Sequence, residues 1–195
     1  MMQISIDFIY ETFILELDAM SKGIFFLIIL AMKASIAFSL DKSKFERYVE
    51  MKKLEDCYHV AGNFYNVKPK TLMAIAFQES SGLPGAVNQS ENSIGLMQIH
   101  AQHHDLLNTY KIAKNQLFDG CQNIIVGAWI LSHCEIIFTD YMQQIGCYNA
   151  GTRKNNKQNI RRLDYAKKII NHINDFNHYD SLLNNASWQG ARKKE

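Results

Sequence analysis

Residues 77–99 read FQESSGLPGAVNQSENSIGLMQI, and the way this stretch folds decides how the rest of the chain is arranged. Phe77, Gln78 and Glu79 close an apolar run that opens at Pro69. Proline suits a first helical position, where its missing N–H would have no intrahelical partner, and Lys70 to Gln78 contains few helix breakers. A helix is therefore predicted from Pro69 to Glu79. Leu72, Ile75 and Ala76 lie seven, four and three residues before Glu79, so the carboxylate prolongs an apolar stripe. Burial and the negative end of the helix macrodipole both disfavour a charged carboxylate, which makes Glu79 a candidate general acid. The plain alternative is a surface Glu at a frayed helix end. The Ser, Gly and Asn of Ser80–Ile94, with Pro84, predict an irregular loop that folds back, and Gly95-Leu96-Met97-Gln98 predicts a compact turn walling the pocket of Glu79.

Three separated motifs stand in a fixed order. They are Glu79-Ser80 with Pro84 and Ala86 downstream, Gly95-Leu96-Met97-Gln98-Ile99, and Tyr148-Asn149-Ala150-Gly151. In that order, and from about Cys57 to about Ile173, the chain resembles the family 1 lytic transglycosylases that carry the soluble-lytic-transglycosylase domain. It is most similar to the small members associated with invasion, pili and conjugation. Those pair a Cys before the first core helix with a Cys opening a later helix, and the resemblance thus implies a Cys57–Cys121 disulfide.

The resemblance implies a mostly α, lysozyme-like single domain of the goose-type lysozyme and soluble lytic transglycosylase kind. Its cleft would lie between a helical core and the Ser80–Ile94 loop. It further implies cleavage of the β-1,4 bond between N-acetylmuramic acid and N-acetylglucosamine in peptidoglycan, with 1,6-anhydro ends. Glu79 would be the acid. Gln98 and Asn149 would position sugar amides and hydroxyls, Met97 and Tyr148 would pack against a ring, and Gly95 and Leu96 would complete the turn. Ser80 and Ser90 are candidate hydrogen-bond partners of the acid or the acetamido group. Tyr165 resembles a late tyrosine that lies near the acid in the family, although a Tyr on an amphipathic helix is also an ordinary structural residue. No cofactor and no metal are implied. The expected partners are glycan strands and components of a secretion, pilus or conjugation machine, and the expected state is a monomer. Glycosidic cleavage commonly uses two carboxylates, and Glu91 is the only other acid near the motif. A lysozyme that uses Glu91 to hold water is one rival. A non-catalytic wall-binding assembly protein is another, and the intact Glu79 argues against it.

The 195 residues, 47% hydrophobic and 21% charged, are the composition of one globular domain with appendages. A net charge of +2 is too small to point to nucleic acid, and none is expected as a partner. Residues 1–19 hold Asp7, Glu11, Glu16 and Asp18 without Lys or Arg, the reverse of an export signal, and read as an upstream extension. Residues 20–39 have Lys22, the apolar run Gly23–Met32 and small residues from Ala34 to Ser39, so they read as a signal peptide cleaved after Ala37 or Ser39. Lys33 interrupts the run before it reaches a bilayer-spanning length. Export is therefore expected, and the resemblance implies the periplasm of a Gram-negative cell as the destination. Residues 40–175 are assigned to the transglycosylase domain and 176–195 to a flexible tail.

In an oxidising compartment four Cys suggest two disulfides, and sequence alone allows three pairings. With Cys57 and Cys121 joined, Cys134 and Cys147 pair or remain buried thiols; zinc is disfavoured because no Cys-x-x-Cys occurs. His100, His103, His104 and Asp105 could bind a metal, but a polar stretch opening a helix is the simpler reading. Cys121–Ile137 is the most apolar stretch and is expected to be the central helix, with Gly127 marking a close approach by a neighbour such as the Glu79 helix, and with Trp129 as core rather than sugar platform. Arg153–Arg162 reads as a polar surface loop before an amphipathic helix from Arg161 to Ile173.

Overall fold

The computed structural model describes residues 27–33 and 41–192, with side chains to residue 185. The upstream extension, most of the signal peptide with both cleavage positions, and the last three residues lie outside the described residues. The chain divides into two compact units, Met1–Phe45 and Glu46–Glu195. In the first, residues 27–33 are helical and exposed. Among the described residues no helix is long and apolar enough to cross a membrane.

The second unit is built from helices. The helix 41–52 (α1) runs into it, followed by α2 (Glu55–Tyr65), α3 (Pro69–Ser80), α4 (His104–Thr109), α5 (Gly120–Ile137), α6 (Tyr141–Ala150) and α7 (Asn156–Arg192). Pro69 starts α3 as predicted, and Ser81 ends it in the left-handed region at φ 55°. Thr71 to Ala76 are all buried, so α3 is enclosed nearly all round rather than amphipathic. It packs against α2, α5 and α7, while α6 packs against α5 and α7. Asp119 and Asp140 cap α5 and α6 by accepting from the amides of Gln122 and Gln143 at 2.7 and 2.9 Å.

The Ser80–Ile94 segment is more regular than its composition suggests. Val87–Asn88 (β1), Ser93–Ile94 (β2) and Ile99–His100 (β3) form an antiparallel meander, with Val87 opposite Ile94 and Ile94 opposite Ile99. The Gln89–Asn92 turn between β1 and β2 is built on the Asn88 side chain, which accepts from the amides of Ser90 and Glu91 at 3.2 and 3.4 Å. An Asx-type turn of this kind lets a polar run carry a hairpin that periodicity cannot reveal.

Two further expectations are corrected. Helix α7 begins at Asn156, inside the segment assigned to a surface loop, and Arg162 on it is 2% exposed. The same helix continues well past residue 175, where a tail was expected, because Phe176 and Tyr179 are buried against Tyr48 with ring centroids 4.6 and 5.6 Å away. Asp180, the next residue, pairs with Lys70 of α3 at 2.5 Å and accepts from the Tyr48 hydroxyl. Disulfides join Cys57 of α2 to Cys121 of α5 and Cys134 of α5 to Cys147 of α6, with Cα separations of 5.2 and 5.7 Å. The pairing the resemblance implied is present, and the open question about the other two cysteines resolves as a second bridge.

Candidate active site

An open cleft of about 850 Å³ runs along the second unit, and Glu79, Gln98, Tyr148 and Asn149 line it together. Glu79 sits in the last turn of α3 and accepts a 2.5 Å hydrogen bond from the hydroxyl of Tyr165 on α7. Its pKa is raised. Burial is the main cause, the Tyr165 hydrogen bond opposes it, and the charge of Glu91 adds to it. The hydroxyls of Tyr148 and Tyr165 are themselves held well above their ordinary range, by burial first and then by the Glu79 charge. Both therefore remain hydrogen-bond donors at any physiological pH. The result is a carboxylic acid that keeps its proton further toward neutrality than an exposed Glu and is held in one orientation.

The Gly95-Leu96-Met97-Gln98 turn is fastened from three sides. Ser80 donates to the Leu96 carbonyl at 2.7 Å, Tyr148 donates to the Met97 carbonyl at 2.7 Å, and the Met97 amide donates to Asn123 Oδ1 at 2.7 Å. Asn123, fully buried on α5, also donates from Nδ2 to the carbonyls of Ile94 and Leu117 at 3.0 and 2.8 Å. Gly95 has φ 81°, and a Cβ there would come within 2.1 Å of the Asn123 amide nitrogen, so both the turn and the clamp demand glycine. Gly127 leaves room for the Met97 sulfur, which would lie 2.3 Å from a Cβ. The close approach expected at Gly127 is real, but the neighbour is the turn rather than the Glu79 helix.

The remaining predicted residues fall into place around these. Gln98 lines the cleft with its amide nitrogen bonded to the carbonyls of Gly95 and Ala86 at 2.9 and 3.2 Å, which leaves its amide oxygen as an acceptor. Tyr165 and Ser80 stand behind the cleft wall, one orienting the acid and the other tying α3 to the turn. Gly95 and Leu96 are buried within the turn. Met97 is also fully buried, so its side chain does not face a bound ring as expected. Ser90 is exposed and bonded to Asn88 at 2.7 Å; its neighbours Asn88 and Glu91 line the cleft and it does not.

Several residues of the site carry no motif. Glu91, the other acid near the first motif, lines the cleft. Trp129, expected in the core, lines the cleft with His103 and His133 beside it. Arg162 holds the end of α6, donating to the carbonyls of Gly151 and Arg153 at 2.9 and 3.0 Å with its guanidinium 4.7 Å from the Phe138 ring. It fixes the wall that carries Tyr148 and Asn149. Among the described residues no group of His, Cys, Asp or Glu is arranged to hold a metal ion, including the His100–Asp105 cluster.

A mostly α domain with one part-buried acid at the floor of an open cleft, facing a short meander, defines a lysozyme-like fold with a candidate acid catalyst. Residues 56–173 match the transglycosylase SLT domain, and the chain belongs to that family. It is 40% identical over 118 residues to the invasion protein IagB of Salmonella typhimurium, covering 58% of this chain and 72% of that protein. Over the same length it is 36% identical to the X polypeptide of Escherichia coli, covering 70% of it, and 32% identical to protein IpgF of Shigella flexneri, covering 76%.

Proposed function

We propose that the protein is a peptidoglycan lytic transglycosylase in which Glu79 is the single acid and base. The observation that carries this reading is the Glu79–Tyr165 pair: a carboxyl with a raised pKa, held in one rotamer at the cleft floor. Protonated Glu79 gives its proton to the oxygen that links C1 of N-acetylmuramic acid to C4 of N-acetylglucosamine, and the C1–O bond breaks. The 2-acetamido carbonyl of the muramic acid shields the electron-poor C1. The resulting carboxylate then takes the proton from the same sugar's 6-hydroxyl as its oxygen bonds to C1. Glu79 ends protonated and no water is consumed, so a second carboxylate is not required. Gln98, Tyr148 and the exposed Asn149 line the cleft, and in this reading the Gln98 amide oxygen accepts from sugar substituents, the Asn149 amide donates to them and the Tyr148 ring packs against them.

The relative named an invasion protein supports a local role, opening the wall for a secretion, pilus or conjugation apparatus, with export to the periplasm as its condition. The substrate is the glycan strand, and neither metal nor cofactor enters any step. Release of soluble fragments from purified peptidoglycan tests the acid. Glu79→Gln keeps the Tyr165 partner and is expected to lower turnover by about two to four orders of magnitude. Wild-type release by the variant would overturn the assignment.

A further inference from the structure

Among the described residues the buried polar and charged side chains, tyrosines aside, are those of Thr71, Ser93, Asn123 and Arg162. All but one spend their polar atoms inside the protein. Thr71 shares a 2.7 Å hydrogen bond with Tyr141, Asn123 bonds to Met97, Ile94 and Leu117, and Arg162 donates to Gln143, Gly151 and Arg153. Ser93 is the exception. It is 3% exposed, its hydroxyl has no hydrogen-bond partner among the described residues, and it lines the cleft.

The meander accounts for its position. β2 is the central strand, and Ser93 stands opposite Asn88 of β1 and His100 of β3. Directly opposed residues of an antiparallel pair project to the same face, so the three form one row. All three line the cleft, whereas Val87, Ile94 and Ile99 of the alternate row do not. The Asn88 side-chain oxygen is committed to the turn, where it accepts from Ser90 and Glu91. Ser93 is therefore the buried and uncommitted hydroxyl of the row. Strand pairing holds it on both sides, and Asn123 holds the next residue's carbonyl at 3.0 Å. The group is fixed in place before anything binds, which lowers the entropy cost of a contact.

A buried hydroxyl without a partner costs stability that an alanine would not. A ligand group that enters the cleft and bonds to it offsets that cost on binding. We propose that Ser93 is a substrate-binding residue whose hydroxyl pairs with a hydroxyl group of the glycan strand. This rests on the glycan-cleaving reading, which supplies the ligand. A serine hydroxyl both donates and accepts, as a sugar hydroxyl does. A carboxylate is the poorer match, because Glu79 and Glu91 line the same cleft and repel it. The assignment separates three serines of one segment. Ser80 ties α3 to the turn, Ser90 is exposed and outside the lining, and Ser93 offers its hydroxyl to the cleft.

The test measures cutting of soluble glycan strands stripped of peptide, together with melting temperature, in alanine variants. Ser93→Ala is expected to raise KM about fivefold with kcat within about twofold, the worth of one neutral hydrogen bond made in ground and transition states alike. Its melting temperature stays level or rises, since no bond inside the protein is lost. Ser80→Ala melts about 3 °C lower, because its bonds are internal. Ser90→Ala leaves KM unchanged. An unchanged KM in Ser93→Ala overturns the proposal and leaves the transglycosylase reading standing. So does a melting temperature lowered as far as in Ser80→Ala, which would give the hydroxyl a partner within the fold. If the wild type cuts no strand, that reading falls, and calorimetric titration of the same strands into Glu79→Gln and Glu79→Gln/Ser93→Ala decides the matter. Binding about fivefold weaker in the double variant sustains the proposal, and equal binding or none overturns it.

Discussion

Glu79 and Glu91 stand in one cleft and differ in almost everything else. Glu79 belongs to the floor, where α3 is enclosed, Tyr165 fixes the carboxyl, and the facing turn is clamped by Ser80, Tyr148 and Asn123. Glu91 belongs to the rim, exposed in a four-residue turn whose nearest support is the Asn88 side chain at 3.4 Å. The floor is held by buried and part-buried hydrogen bonds and two disulfides, and the rim by local bonds open to water. Proton transfer needs a group whose position and protonation are both set in advance, and only the floor provides that. The rim can contribute charge, as it does in raising the pKa of Glu79.

The contrast can be broken most severely by exchanging the two carboxylates' fates. Against the loss of about two to four orders of magnitude for Glu79→Gln, Glu91→Gln is expected to change turnover by less than about threefold. Equal losses would mean that both acids work, as in a hydrolase. The next largest effect concerns the frame beneath the floor. Loss of the Cys57–Cys121 bridge, which spans 64 residues, is expected to cost about 4 kcal/mol of stability. Loss of Cys134–Cys147, which spans 13, should cost about 3 kcal/mol, measured as denaturant midpoints of paired Cys→Ala variants.

A finer probe is Tyr165→Phe. The hydroxyl donates to Glu79 and so lowers its pKa, opposing burial. Removing it should raise that pKa further, move the alkaline fall of kcat/KM to higher pH, and lower the maximum about tenfold as orientation is lost. A shift toward acid would contradict the assigned geometry. The smallest effect is on stability. Because the folded-state pKa of Glu79 is raised, the native state binds the extra proton between the ordinary value of 4.5 and the raised one, and stability falls as pH climbs through that window. Glu79→Gln should therefore melt higher than wild type at neutral pH, with the difference vanishing below 4.5. An unchanged difference across that range would show that the carboxyl carries no burial penalty.

The floor was largely legible in the sequence and the rim was not. Pro69, the apolar face shared by Leu72, Ile75 and Ala76, and the three separated motifs were enough to bring Glu79, Gln98, Tyr148 and Asn149 to one cleft. What escaped were residues whose role depends on partners far along the chain. Asn123 sits in an apolar helix with no periodic signature, and two of its three bonds exist only once the turn has docked. Arg162 reads as one more surface cation until Gly151 and Arg153, just past α6, supply carbonyls for it. Trp129 has the same local pattern whether it faces core or cleft. The meander was hidden because two-residue strands carry no alternation, and the tail because Phe176 and Tyr179 find their partner in Tyr48, more than a hundred residues earlier.

The central claim, one acid and no water, is tested most directly by the mass of the fragments that the purified protein releases from purified peptidoglycan. The account predicts muropeptides one water lighter than reducing-end products, carrying 1,6-anhydro-muramic acid. Ordinary reducing ends would contradict it, since they require a water that Glu79 alone does not position, and would move the second role to Glu91.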